Sequence, residues 1–193
     1  MKHLSRSVLL LAAVLSGCGG LQEMTEGPGA KSFHPKSIAI LPPVTGQYES
    51  AREDILDVLA AALSKEQRFE RVVPHEQMTD IFQNQKEAFD ALVVFSSKLE
   101  ATGQPDRAAA ATLGKAFNAE ALLVVRVNAW EYTRKEGDNL AKIGLGFRLV
   151  DPTNGNVVWK ARHEKTSSYM FFKPNLKDVA KELADEMIKY MPR

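Results

Sequence analysis

Seven consecutive residues in the middle of the chain, Ala121-Leu122-Leu123-Val124-Val125-Arg126-Val127, are apolar with one exception and end at Asn128-Ala129-Trp130. The run is too short to cross a bilayer, and its near-continuous apolarity marks a strand buried on both faces rather than one alternating between core and solvent. It predicts the central strand of a sheet. No disulfide can reinforce the core around it, because Cys18 is the only cysteine in 193 residues. Packing alone must hold the domain, and about 160 ordered residues suffice for one such core.

The flanking segments predict further strands and helices. Ser37-Ile38-Ala39-Ile40-Leu41, stopped by Pro42-Pro43, reads as a buried strand. Ser50 and Glu53 have the spacing of a capping box, and Ile55, Leu56, Leu59, Ala62 and Leu63 then recur at helical spacing, predicting a helix from Ala51 to Glu66. A short strand from Phe69 to Val73 ends at Pro74, and Met78, Ile81 and Phe82 mark a second helix. Ala91 to Phe95 is apolar but too brief to reveal its period, so helix and strand both remain open there. Asp106 to Phe117 reads as an alanine-rich helix stopped at Asn118. After the central strand and a charged loop, Ile143, Leu145, Phe147 and Leu149 alternate with Gly144, Gly146 and Arg148. Asp151-Pro152-Thr153-Asn154-Gly155 turns the chain into a partner strand from Asn156 to Lys165, giving an antiparallel hairpin. A final helix begins near Leu176, with Val179, Leu183, Met187 and Tyr190 in one stripe.

The N-terminus carries a different kind of signal. Lys2 and Arg6 form a cationic region, Val8 to Leu15 an unbroken apolar stretch of eight, and Ser16-Gly17 a small-residue cleavage site before Cys18. That is the layout of a signal peptide, expected over residues 1–17. Leu15-Ser16-Gly17-Cys18 resembles the bacterial lipobox, which implies acylation of the Cys18 thiol. A mature lipoprotein of this kind holds the membrane through two or three acyl chains, enough for stable anchoring. Gly19, where inner-membrane lipoproteins usually carry aspartate, implies sorting to the outer membrane, with the domain facing the periplasm. Residues 18–35, rich in glycine and proline, read as a flexible tether, and residues 36–193 as a single domain. Once residues 1–17 take Lys2 and Arg6 with them, 23 of the 25 Lys and Arg remain against 24 Asp and Glu. A balance so close to neutral gives no reason to expect nucleic-acid binding.

No reaction centre emerges from the motifs. His75-Glu76 and His163-Glu164 each open like a zinc-protease motif, but Thr79 and Ser167 stand where the second histidine belongs, so no metal site or cofactor is expected and both histidines read as surface or loop residues. Gly144-Leu145-Gly146 and Gly29-Ala30-Lys31-Ser32 lack the remaining glycines of nucleotide loops, and no nucleophile elbow occurs. Glu53, Asp54 and Asp57 lie near a helix start, where negative charge is favoured for structural reasons. Trp130, Tyr132 and Trp159 near strand ends read as sheet packing ahead of a recognition surface. Tyr169-Met170-Phe171-Phe172 puts two large residues on each side of an extended chain, so it is either covered on both sides by the last helix or partly a binding patch, with core packing preferred. Tyr132, Tyr169 and Phe171 are the candidate partner-binding residues.

Taken in order, the pieces carry a family resemblance. Ile38-Ala39-Ile40-Leu41-Pro42-Pro43, Arg68-Phe69-Glu70-Arg71-Val72-Val73, Leu113-Gly114-Lys115, Ala119-Glu120-Ala121-Leu122-Leu123-Val124 and the series from Leu149 to Trp159 follow the lipobox. The chain resembles the superfamily of the curli-secretion channel lipoprotein, the outer-membrane activators of penicillin-binding proteins, exopolysaccharide-export lipoproteins and the N-terminal domain of the Tol-Pal translocation protein. The resemblance implies an α/β fold, a mixed β-sheet packed by helices, acting without catalysis through contact with an envelope protein partner or through assembly as a homo-oligomer. It supplies no catalytic residues. Two further alternating segments of about 9 to 11 residues, as membrane-crossing hairpins would need, are not found beyond the core strands, which disfavours a channel. The competing expectation is an envelope hydrolase or glycan-binding enzyme with scattered acidic residues.

Overall fold

The computed structural model describes residues 20–192. The expected signal peptide and Cys18 lie outside the described residues. Six strands form one mixed sheet in the order β1-β6-β5-β4-β2-β3. They are β1 (Glu23–Glu26), β2 (Ser37–Ile40), β3 (Arg71–Val73), β4 (Ala121–Lys135), β5 (Asp138–Asp151) and β6 (Asn156–Tyr169). β2 runs parallel to both β3 and β4, while β4, β5, β6 and β1 pair antiparallel. Five helices accompany them: α1 (Arg52–Lys65), α2 (His75–Asn84), α3 (Lys86–Thr102), α4 (Arg107–Phe117) and α5 (Leu176–Lys189). The fold is therefore α/β, a mixed sheet packed by helices.

The central strand explains the layering. Leu123, Val125 and Val127 join α1 and α5 in one apolar cluster, whereas Leu122 packs with α3 and α4 in a second cluster on the opposite face. Strand β4 is thus covered on both sides at its start, as seven nearly unbroken apolar residues require. Capping at α4 follows the sequence closely. Asp106 accepts hydrogen bonds from the backbone N–H of Ala108 and Ala109, and Asn118 ends the helix in the left-handed region at φ 48°.

Several expectations are corrected. Residues 18–35 do not all form a free tether, since Glu23–Glu26 pairs with β6 from Glu23↔Arg162 to Glu26↔Trp159, and Gly27 donates its N–H to the Val158 carbonyl at 2.8 Å. All four β1 side chains are exposed, so the strand is held by its backbone and leaves no apolar alternation to read. The Ser50 capping box does not form. A 3-10 turn over Glu49–Ala51 precedes α1, and Glu49 instead accepts bonds from the Thr45 hydroxyl at 2.6 Å and Arg52 Nη2 at 2.8 Å. Ala91 to Phe95 belongs to α3, where Ala88, Ala91, Phe95 and Leu99 recur every three or four residues as its buried stripe. The charged loop after Trp130 is absent: a bulge between Val127 and Ala129 carries β4 on to Lys135, and Glu136-Gly137, with φ 53° and 99°, closes a two-residue hairpin. Backbone pairing extends this polar stretch as strand, which side-chain pattern alone does not reveal.

Candidate functional site

The far end of the long hairpins brings the candidate partner-binding residues together. Tyr132 lies on β4 and Tyr169 ends β6, and both side chains project on the sheet face that α5 covers further along. Their rings meet edge to face with centroids 5.9 Å apart. The Tyr132 hydroxyl donates to the Pro174 carbonyl at 2.8 Å, and the Lys173 ammonium stands 4.8 Å from the centre of the same ring. Tyr132 thereby pins both ends of the connection between β6 and α5. Asn175 then caps α5 by accepting from the Lys177 N–H, which fixes where the connection must end.

Between those fixed ends, Met170, Phe171 and Phe172 are 83, 86 and 90 % exposed. The expected core packing is therefore overturned for Met170 to Phe172, while Tyr169 stays half-buried against Tyr132. Asn175 starts the last helix only after the segment has passed the sheet edge, so α5 covers neither side of it. Three consecutive large apolar side chains left in solvent form a small apolar tip. Met170 and Phe172 join the candidate residues, and the signal for them was the unbroken run of large side chains in a loop. Trp130 and Trp159 do not take part, since both are buried in the cluster beneath α1 and α5. Cys18 falls outside the described residues.

Several titratable groups tie neighbouring elements together. Lys177 of α5 reaches Asp57 at 2.8 Å and Asp54 at 3.0 Å on α1, and these carboxylates raise its pKa above the ordinary lysine value. The acids near the α1 start thus serve a helix-to-helix tie. Lys142 beside Glu164 holds that carboxyl below its ordinary range. His75 lies exposed at the start of α2, as expected. His163 does not lie on the surface: its side chain is largely covered between β6 and α5, with Glu186 3.5 Å from Nε2 and the Gln22 N–H donating to Nδ1 at 3.3 Å. Among the described residues, no three His, Cys, Asp or Glu side chains gather closely enough to hold a metal ion, and no helix is long and apolar enough to cross a membrane.

No family model and no curated protein sequence matches the chain. Solved structures do. PelC from Paraburkholderia phytofirmans, a dodecamer, is 19 % identical with a TM-score of 0.54, covering 88 % of this chain and 95 % of that one. The lipoprotein GNA1162 from Neisseria meningitidis is 19 % identical with a TM-score of 0.50, over 80 % of this chain and 99 % of that one. The hypothetical protein CT253 from Chlamydia trachomatis is 10 % identical with a TM-score of 0.57, over 79 % and 93 %. At these identities the likeness is one of fold. The chain shares the fold of bacterial lipoproteins, the group its sequence motifs resemble.

Proposed function

We propose that the chain is a non-enzymatic lipoprotein, anchored through Cys18 to the outer membrane and facing the periplasm, that serves envelope assembly or export machinery by contact. The observation that carries this reading is the apolar tip at Met170-Phe171-Phe172, held out by the Tyr132 bond to Pro174. A soluble surface gains nothing from three adjacent large apolar groups unless another surface covers them. Chain direction supports the reading. Strand β1 runs antiparallel to β6, so tracing it back from Glu23 towards Gly20 leads along β6 towards Tyr169. Cys18 precedes Gly20 by two residues, a reach of about 7 Å. The described chain thereby enters β1 from the end of β6 that leads to the tip, so an anchor at Cys18 would turn the tip towards the membrane side.

A photo-crosslinking residue in place of Phe171, in the full chain in cells, tests this. A discrete adduct with one envelope protein, or a ladder of self-adducts such as a ring like the PelC dodecamer would give, supports contact. Recovery of unmodified monomer, together with turnover of peptidoglycan or polysaccharide fragments by the purified chain, would replace it with the hydrolase.

A further inference from the structure

The sheet face opposite α1 and α5 is only partly covered. Helices α3 and α4 close it over β2, β3 and the start of β4, but beyond Val124 it opens into a cleft of about 580 Å³. Register fixes what lines the opening. Arg126 of β4 lies across from Gly146 of β5, which lies across from Arg162 of β6, and one row along Arg148 lies across from Lys160. Four cationic side chains from three adjacent strands therefore surround a glycine. Gly146 leaves the middle of the floor without a side chain, and the nearest atom to a Cβ built there would be the Asn128 amide nitrogen at 3.3 Å.

Glu23, across from Arg162, and Glu100 are the acids along this hollow, two against its four cations. Glu100, at the last turn of α3, pairs with Arg126, and Arg162 shares Glu164 with Lys142 at 3.6 and 3.0 Å. Arg148 and Lys160 have no carboxylate partner among the described residues. Among the described residues Arg148 makes one long polar contact, 3.5 Å, to the carbonyl of Leu99. Arg148 is half-buried and forgoes part of its hydration beside low-dielectric walls, a cost that a visiting anion offsets, while Lys160 stands exposed beside it.

We infer that this cleft docks an acidic peptide segment of a protein partner, rich in Asp or Glu, with its carboxylates held by Arg148 and Lys160 and flanked by Arg126 and Arg162. Guanidinium forks suit planar carboxylates, which they bind through paired hydrogen bonds. The rest of the lining favours peptide over sugar. Val44, Val124 and Met24 offer aliphatic contact for side chains, while Phe147, the aromatic residue along the cleft, buries its ring in the cluster on the opposite face and offers no surface for a sugar to stack on. The attraction is local, since the chain past residue 17 carries one more acidic than basic residue and as a whole does not draw anions. The site is separate from the apolar tip and does not depend on the function proposed above.

The full chain in detergent, titrated with a fluorescein-labelled hexaglutamate peptide, provides the test. Binding that weakens as salt rises, and that falls by about tenfold or more in the Arg148→Glu, Lys160→Glu variant, is expected. The single change Lys160→Gln, at an exposed position, should give a smaller loss with an unchanged thermal midpoint, which separates lost charge from lost fold. Lys115→Glu, on α4 away from the cleft, should bind like the parent. No binding to the parent, equal binding by the double variant, or a preference for polygalacturonate or inorganic phosphate over the peptide would each overturn the assignment.

Discussion

Val125 has no exposed surface and belongs to the cluster that α1 and α5 cover. An aspartate there would bury a charge with no cation to meet it, so Val125→Asp is expected to destabilise by several kcal/mol, a large share of what a domain of this size possesses. Lys115→Ala on the surface should change little. Comparing the two thermal midpoints checks the assignment of β4 as the central strand. Glu49 makes a prediction about pH. Its hydrogen bonds from Arg52 and Thr45 lower its pKa from the ordinary 4.5 to about 2. A depressed carboxylate contributes stability that is fully present above pH 4.5 and is lost as pH falls towards 2. Glu49→Gln should therefore flatten the pH dependence of the thermal midpoint in that window, and the side-chain carboxyl resonance of Glu49 should titrate near 2 by NMR. Residues differ in how far the sequence exposes them. Val125 is legible because its neighbours are apolar, whereas Glu49 was hidden behind Ser50, whose spacing to Glu53 fits a cap that the 3-10 turn displaces. In the sequence Gly114 shows no reason of its own beside Leu113 and Lys115. Its reason is contact: a Cβ there would lie 2.6 Å from Pro152 Cβ, so α4 can rest on the β5–β6 turn only without a side chain.

Strand β1 is the element that most changes how the N-terminal region works. Read as a tether, residues 18–35 could be shortened or altered without cost to the domain, but the structure ties Glu23 to Gly27 to β6. Gly27 is the sensitive point, because a Cβ built there would come 2.1 Å from the Val157 carbonyl oxygen, a separation no relaxed structure shows. Gly27→Val is expected to push the segment off the sheet, lower the thermal midpoint by several degrees and speed hydrogen exchange along β6. An unchanged midpoint would return the segment to a tether. Elements are legible where side chains carry their pattern. The α4 boundaries and the β5–β6 turn follow directly from Asp106, Asn118 and Asp151 to Gly155. Those held by backbone pairing are not: Glu23 to Glu26 and Glu131 to Lys135 are polar or exposed, and nothing in their composition separates a ladder from a loop. The short run Ala91 to Phe95 needed the neighbouring Ala88 and Leu99 to declare its helical period.

At the scale of the whole molecule the tip can be separated from the fold, because its side chains stand outside the core. Cys18→Ser should leave a domain with the parent's thermal midpoint but shift it from the membrane to the soluble fraction, since stable attachment depends on acyl chains at that one thiol. Mass spectrometry of the N-terminal peptide should show acyl mass on the parent alone. Replacing Met170, Phe171 and Phe172 together by serine should likewise spare stability, as side chains 83 to 90 % exposed bury almost nothing when the domain folds. It should nevertheless abolish activity in cells at normal expression, because contact energy concentrates in a few large apolar anchors. Tyr132→Phe should weaken activity less, by freeing the Pro174 carbonyl and loosening the connection without removing the apolar groups themselves. Contact chemistry and catalysis then predict opposite scans. If one Asp, Glu or His substitution removes all activity from a folded chain while the triple serine variant keeps it, the domain acts through a reaction centre and not through its tip.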